Sequence, residues 1–323
     1  MRYREAGVDL EGAERHVSRI AGSVTSTWGP QVAGSFGGFA SGVRIPEGYR
    51  RPLLMMTTDG VGTKLELARR SGSWGGVGHD LVAMCVDDLA AVGARPIGLV
   101  DYMAVGALDP ERDSTIVASI ASACLQAGIA LLGGETAEHP GVMALDAVDL
   151  AATALGILEE GSEIGPHRVE EGDLIVGLLS PNLRSNGFSL VRRLLGDDID
   201  DEIDLLLEPS VLYSPMVIDL VEDGRVNSAA HITGGGLIEN LPRAVPAGLG
   251  ARIDTSRWDP PPVFRLIEER GVEPEEMFRT FNMGIGFCLV VDPTRADEVV
   301  SRLGSASAGV IGEIVSGEGV LLE

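Results

Sequence analysis

Leu53-Leu54-Met55-Met56, running into Thr57-Thr58-Asp59-Gly60-Val61-Gly62-Thr63-Lys64, is the stretch on which the fold turns. An apolar run followed by glycines, a carboxylate, hydroxyls and an ammonium reads as a buried strand, a turn and the start of a helix. Lys64 is the only lysine in the chain: the 25 basic residues are 24 Arg and this one. Lys is a compact point charge that reaches between phosphate oxygens, whereas Arg is a broad planar fork. Position alone would make Lys64 a solvated surface residue. The strand–turn–helix context favours a functional one.

Outward from this stretch the pattern alternates. Residues 53–57, 97–105, 129–133 and 150–158 read as strands, and 79–92 and 112–126 as helices. The second helix has a well-formed start, with Asp109 as N-cap, Pro110 at the first position and Glu111 in the first turn. Upstream lie an amphipathic segment, 8–20, and a glycine-rich loop, 33–40. The loop is either a mobile lid or a tight turn anchored by its Phe residues. Segment 159–172 is charged, holds three Gly and one Pro, and reads as a link between domains. A second domain then begins with a strand at 174–179 and ends in a strand–helix–strand region from Gly284. The expected division is 1–162 and 163–323.

Composition sets limits. A chain of 323 residues, 45% hydrophobic, has room for two cores. A net charge of −23 repels nucleic acid and anionic membrane, so neither is an expected partner. It leaves room for a phosphorylated small molecule held by metal ions and backbone N–H groups. Cys85, Cys124 and Cys288 form no CxxC pair and lie in apolar segments, as buried free thiols of a cytoplasmic protein would. No run approaches the length of a membrane helix.

Three acidic positions stand out. Asp80, Asp87 and Asp88 fall within one arc of the helix over 79–92. That arc is either a solvated acidic face or a place where a cation relieves the repulsion between adjacent carboxylates. Asp59 ends the first strand, and Gly133-Gly134-Glu135-Thr136-Ala137-Glu138 follows another. Hard oxygen donors of this kind suit Mg²⁺, which binds through few carboxylates plus phosphate oxygens and water. Asp59, Asp87, Asp88 and Glu135 are the candidate ligands, with Lys64 facing the phosphates, an arrangement suited to phosphoryl transfer. Neither GxxxxGK[ST] nor a GxGxxG between strand and helix is present. In the second half, Ser185-Asn186-Gly187 and Gly234-Gly235-Gly236 each open a helix, a place that binds phosphate esters. His231 stands just before the triple glycine, positioned to titrate or hydrogen-bond near neutral pH. His16, His79, His139 and His167 read as structural.

These motifs, in this order, resemble the phosphoribosylformylglycinamidine cyclo-ligase family over nearly the whole chain. The resemblance is carried by Tyr3-Arg4-Glu5-Ala6-Gly7-Val8-Asp9, Gly37-Gly38-Phe39, Thr58 to Lys64, Asp80 to Asp88, Gly133 to Glu138, Ser185 to Arg192, His231 to Gly236 and Thr280-Phe281-Asn282. It implies an α+β fold of two domains with mixed sheets and packed helices. It also implies a homodimer whose N-terminal domains join into a closed barrel, and an ATP- and Mg²⁺-dependent ring closure of formylglycinamidine ribotide. In that reaction the γ-phosphoryl group activates the formyl oxygen, an amidine-side nitrogen attacks the iminophosphate carbon, and phosphate leaves.

By resemblance, Gly37, Gly38, Phe39, Asp59, Gly60, Gly62, Thr63, Lys64, Asp88, Gly133, Gly134, Glu135 and Thr136 meet ATP, with the loop over 34–39 as a lid. Ser185, Asn186, Gly187, His231, Gly234, Gly235 and Gly236 meet the ribotide. Lys64, His231 and Asp59 are the catalytic candidates. The chain departs from the family pattern at Ala21 (often Lys), Asp87 (often Asn), Arg184 (often His) and Met283 (often Cys). Other members of the superfamily remain as alternatives. A selenium-activating enzyme needs a reactive Cys near the N-terminus, and a thiamine-phosphate kinase is not expected to carry the motifs at 185–192 and 231–236. A catalytically silent nucleotide-binding protein is the remaining alternative.

Overall fold

Residues 10–323 are described by a computed structural model. The Tyr3–Asp9 motif lies outside them. The chain divides into two compact units, Met1–Leu89 with Arg95–Glu160, and Ala90–Ala94 with Gly161–Glu323. The division falls inside the charged segment 159–172. The short excursion Ala90–Ala94 into the second unit is announced by nothing in the sequence pattern.

The first unit runs α1 (Leu10–Ser26), β1 (Val32–Ala33), β2 (Gly42–Val43), β3 (Pro52–Gly60), α2 (Lys64–Ser71), α3 (Val77–Ala91), β4 (Arg95–Val105), α4 (Pro110–Gln126), β5 (Ala130–Glu138) and β6 (Val148–Glu159). Its four-stranded sheet has the order β3-β6-β4-β5, antiparallel except between β4 and β5. Helices cover one face: Cys85 of α3 reaches the Ala152 carbonyl at 3.5 Å, and Trp28, just past α1, donates to the Leu131 carbonyl at 2.7 Å. The other face is open. Leu54, Met56, Val100 and Tyr102 are 48%, 70%, 43% and 43% exposed on it.

Three expectations are corrected here. The run 53–56 is not a buried strand but an exposed edge strand, paired on one side only. Asp59 and Gly60 are not in the turn. They extend β3, because Asp59 pairs with Ala152 and Gly60 with Ala151. A Cβ at Gly60 would come within 2.8 Å of the Leu150 carbonyl oxygen, so close backbone approach requires glycine there. Likewise Gly133 to Glu138 is not a turn after β5 but part of it, held beside β4 through a bulge. Tertiary pairing overrides local glycine preference in both places.

The second unit contains β7 (Leu174–Leu179), α5 (Phe188–Leu195), α6 (Ile203–Leu206), α7 (Ser214–Glu222), β8 (Ser228–His231), α8 (Gly236–Asn240), β9 (Leu249–Ile253), α9 (Pro262–Glu269), α10 (Pro274–Thr280), β10 (Ile285–Val291), α11 (Ala296–Leu303), β11 (Ser307–Ser316) and β12 (Val320–Leu322). Its six-stranded sheet has the order β12-β9-β11-β7-β10-β8, with only β12–β9 parallel. Both faces are covered. Val176, Leu178, Tyr213, Phe287 and Leu289 lie in one apolar cluster, and Ile175, Ile232, Leu237, Ile285 and Val290 in the other. This explains why β10 is a continuous apolar run rather than an alternating one. Among the described residues no helix is long and apolar enough to cross a membrane.

Candidate functional site

In the first unit the strand register builds the site. Asp59 of β3, Ala152 of β6, Asp101 of β4 and Gly134 of β5 form one row across the sheet. Residues directly opposite share a face. Thr57, two residues before Asp59 and so on the same face, donates through Oγ1 to Asp88 Oδ2 of α3 at 3.3 Å, so this is the helix-covered face. Burial pushes the Cys85 thiol up to about 12, and the charges of Asp59, Asp88 and Asp87 push in the same direction.

The acidic arc of α3 is not solvated. Asp80 and Asp87 are fully buried, and Asp88 is half-buried. Lys64 is buried too, with Nζ 2.8 Å from Asp80 Oδ2. The first residue of α2 is thereby tied to the first turn of α3 by an ion pair shielded from water. Glu135 takes the other direction. It pairs with Tyr102, one register step from the Asp101–Gly134 pair, and belongs to the open face. The four carboxylates proposed as metal ligands are therefore not assembled at one point. Among the described residues no group of three or more His, Cys, Asp or Glu is arranged to hold a metal. Asp59 and Asp88 remain a pair of hard oxygen donors on one face, which fits an ion that takes few carboxylates and completes its shell with phosphate oxygens and water.

The loop over 34–39 follows β1, and Phe39 is wholly exposed, so this side chain does not anchor it. Gly62 and Thr63 form the exposed turn between β3 and α2. Thr136 Oγ1 lies 3.2 Å from Nε2 of His16, which is buried, with its imidazole held below the ordinary value by desolvation. His16, structural by its sequence context, touches a residue of the acidic motif, and only the packing of α1 on this unit reveals it. Asp101 belongs to no motif of the sequence. Its place between alternating apolar residues of β4 was the available signal.

In the second unit, Arg184, Ser185, Asn186 and Gly187 precede α5, while His231 closes β8 before the turn to α8. The side chain of Asn240 holds that turn by donating to the Gly234 and Gly236 carbonyls at 3.0 and 2.9 Å. Gly236 has φ of 57°, and a Cβ there would come within 2.6 Å of the Phe281 carbonyl oxygen, so no other residue fits. The ideal Cβ position of Gly234 is 3.4 Å from Asn186 Oδ1, which brings the segments 185–187 and 234–236 together. Ser185 Oγ and Asn186 Nδ2 are buried without a hydrogen-bond partner. Buried polar atoms are nearly always paired, and these two are exceptions in adjacent residues. His231 is 5% exposed, and its Nε2 lies 3.0 Å from Nη2 of Arg184, a contact the sequence did not disclose.

The class follows from comparison. Residues 43–158 match the model of the AIR synthase related protein N-terminal domain, and residues 170–322 that of the C-terminal domain. The fold is shared with thiamine-monophosphate kinase from Stenotrophomonas maltophilia K279a, at TM-score 0.67 and 18% identity over 98% of this chain and 96% of that one. It is shared equally with hydrogenase maturation protein HypE in complex with ATP, at TM-score 0.69 and 20% identity over 94% of this chain and 86% of that one.

Full-length relatives narrow the class. The phosphoribosylformylglycinamidine cyclo-ligase of Synechococcus sp. (strain CC9605) is 46% identical over 98% of this chain and 96% of its own. That of Bacillus pumilus (strain SAFR-032) is 42% identical over the same shares, 98% and 96%. The chain belongs to the phosphoribosylformylglycinamidine cyclo-ligase family.

Proposed function

We propose that this chain is the ligase that closes formylglycinamidine ribotide to aminoimidazole ribotide, converting ATP to ADP and phosphate, in purine biosynthesis. The observation that carries this reading is relatedness to named cyclo-ligases along both units, 46% identical over 98% of the chain. The first unit is the ATP-binding one in this reading, and the second binds the ribotide. A cytoplasmic location goes with such an enzyme.

The formyl oxygen attacks the γ-phosphorus as the bond to ADP breaks. The amidine-side nitrogen then attacks the iminophosphate carbon, the carbon–oxygen bond breaks, and phosphate leaves carrying the former formyl oxygen. Asp59 and Asp88 would hold Mg²⁺, which neutralises charge on the phosphate oxygens. Gly60 at the end of β3, the turn at Gly62 and Thr63, and the strand at Gly133, Gly134 and Thr136 offer backbone and hydroxyl donors to the nucleotide. Glu135 contacts it from the open face, and the loop with Gly37, Gly38 and Phe39 closes over it. Lys64 acts through Asp80, holding α3 and its acids in place, instead of touching phosphate directly. Ser185 Oγ and Asn186 Nδ2 donate to the ribotide beside the Gly234–Gly236 turn. Their support is that both are buried and unsatisfied without a ligand. Ring closure needs nitrogen and carbon in near-attack geometry, which rigid donors of this kind supply.

The open sheet face gives the dimer its rationale. An apolar surface of Leu54, Met56, Val100 and Tyr102 on an edge-containing sheet is a liability unless covered. A second copy applied to this face would join the two sheets into a closed barrel. The chemistry is tested by supplying ribotide labelled with ¹⁸O in the formyl group. Label recovered in the released phosphate supports the iminophosphate route, and label lost to water or retained in the ribotide contradicts it.

A further inference from the structure

Arg184 is fully buried and has φ of 58°, in the left-handed region that L side chains rarely occupy. Among the described residues only Met283 shares this trait outside glycine. The surroundings enforce it. Arg184 N donates to Asn182 Oδ1 at 2.9 Å, Asn182 Nδ2 donates to the Pro209 carbonyl at 2.8 Å, and Asn282 Nδ2 donates to the Asn182 carbonyl at 2.9 Å. Backbone strain held this firmly collects where a side chain must be aimed. The guanidinium is aimed along Tyr213, 4.7 Å from the ring centre, with Nη1 donating to the Val211 carbonyl at 2.9 Å and Nη2 3.0 Å from His231 Nε2.

A guanidinium carries donors only and stays protonated in proteins. His231 Nε2 must therefore accept, which requires its lone pair and places the ring proton on Nδ1. We propose that Arg184 is a positioning residue that fixes His231 as the neutral Nδ1–H tautomer, beside the turn whose Ser185 and Asn186 meet the ribotide. The ligand in this statement rests on the function proposed above; the tautomer does not. The residues directly after Arg184 are Ser185 and Asn186, whose buried atoms lack partners. One strained turn thus orients two ligand donors and sets the tautomer of the imidazole that Arg184 touches.

The test begins with long-range ¹H–¹⁵N spectra of the full-length protein without substrate. His231 should show Nδ1 protonated and Nε2 bare. Arg184→Lys keeps a donor and should preserve that signature, whereas Arg184→Met should lose it. With Mg·ATP and formylglycinamidine ribotide, Arg184→Met should raise KM for the ribotide about tenfold, with KM for ATP unchanged. Adding His231→Asn should give little further loss, because the two residues act as one unit. A wild-type spectrum with the proton on Nε2, or additive losses in the double variant, would overturn the proposal. If Arg184→Met does not fold, the wild-type and Arg184→Lys spectra still decide it. Turnover of ATP that ignores the ribotide would instead defeat the functional reading and leave the tautomer result standing.

Discussion

Lys64 and Asp80 form an ion pair with side chains 1% and 0% exposed. Removing one partner of such a pair strands a buried charge and costs about 3–5 kcal/mol, while replacing both by apolar groups costs far less. Lys64→Met and Asp80→Asn should each lower the urea midpoint steeply, and the double variant Lys64→Met/Asp80→Leu should recover much of the loss. Equal midpoints for wild type and Lys64→Met would show that the pair does not hold α2 to α3. The singularity of Lys64 was legible in the sequence, but its partner was not. Helical arithmetic tells which residues share a face, not whether that face meets water, and Asp80 is buried. Asp101 supplies a pH test. Although the residue is only half-buried, desolvation raises its carboxyl from 3.8 to about 7, partly offset by its own backbone N–H. The folded chain therefore holds a proton that the unfolded chain has released, and this stabilising contribution is full below about pH 4 and lost as pH rises through about 7. Asp101→Asn should flatten the fall in stability across that window, measured by thermal unfolding in metal-free buffer. A wild-type profile unchanged by the substitution would mean the carboxyl is well solvated.

At the level of elements, α4 shows what local sequence determines. Asp109 caps it as its pattern implied, accepting from Glu111 N at 3.0 Å and Arg112 N at 3.1 Å, with Pro110 following. Asp109→Ala should cost about 1 kcal/mol in chemical denaturation. The contact of α3 with α4 depends on Gly78, where a Cβ would come within 2.8 Å of Ser119 Cβ and closer still to the α4 backbone. Gly78→Ala should therefore destabilise by about 1–3 kcal/mol despite its better helix propensity. A stabilised Gly78→Ala protein would mean the helices can move apart at little cost. Caps and turns were legible because their partners lie within a few residues. The true lengths of β3 and β5 were not, because their ends are fixed by β6 and β4, distant in sequence, and the glycines there look like turns until paired. The same limit hid the split of the metal-candidate acids, since Asp59 and Glu135 separate by strand register alone.

At the scale of the whole molecule, the open apolar face of the first unit predicts self-association. Met56→Glu and Tyr102→Glu should each shift sedimentation velocity profiles from dimer toward monomer, because a charge placed in a covered apolar interface has no partner. A wild-type monomer at micromolar concentration would remove the barrel from the account. The ordered motifs were readable from the chain, since each carries its own glycines and acids, whereas the passage of Ala90–Ala94 into the second unit was not. The pairing of Arg184 with His231 was not, because it arises from β8 and the turn before α5 meeting in space. The central claim is ribotide-dependent use of ATP, and phosphate release from Mg·ATP by the purified protein tests it most directly. The account predicts release only when formylglycinamidine ribotide is present, matched one for one by aminoimidazole ribotide formed; release that ignores the ribotide, or none with nucleotide bound, would contradict it.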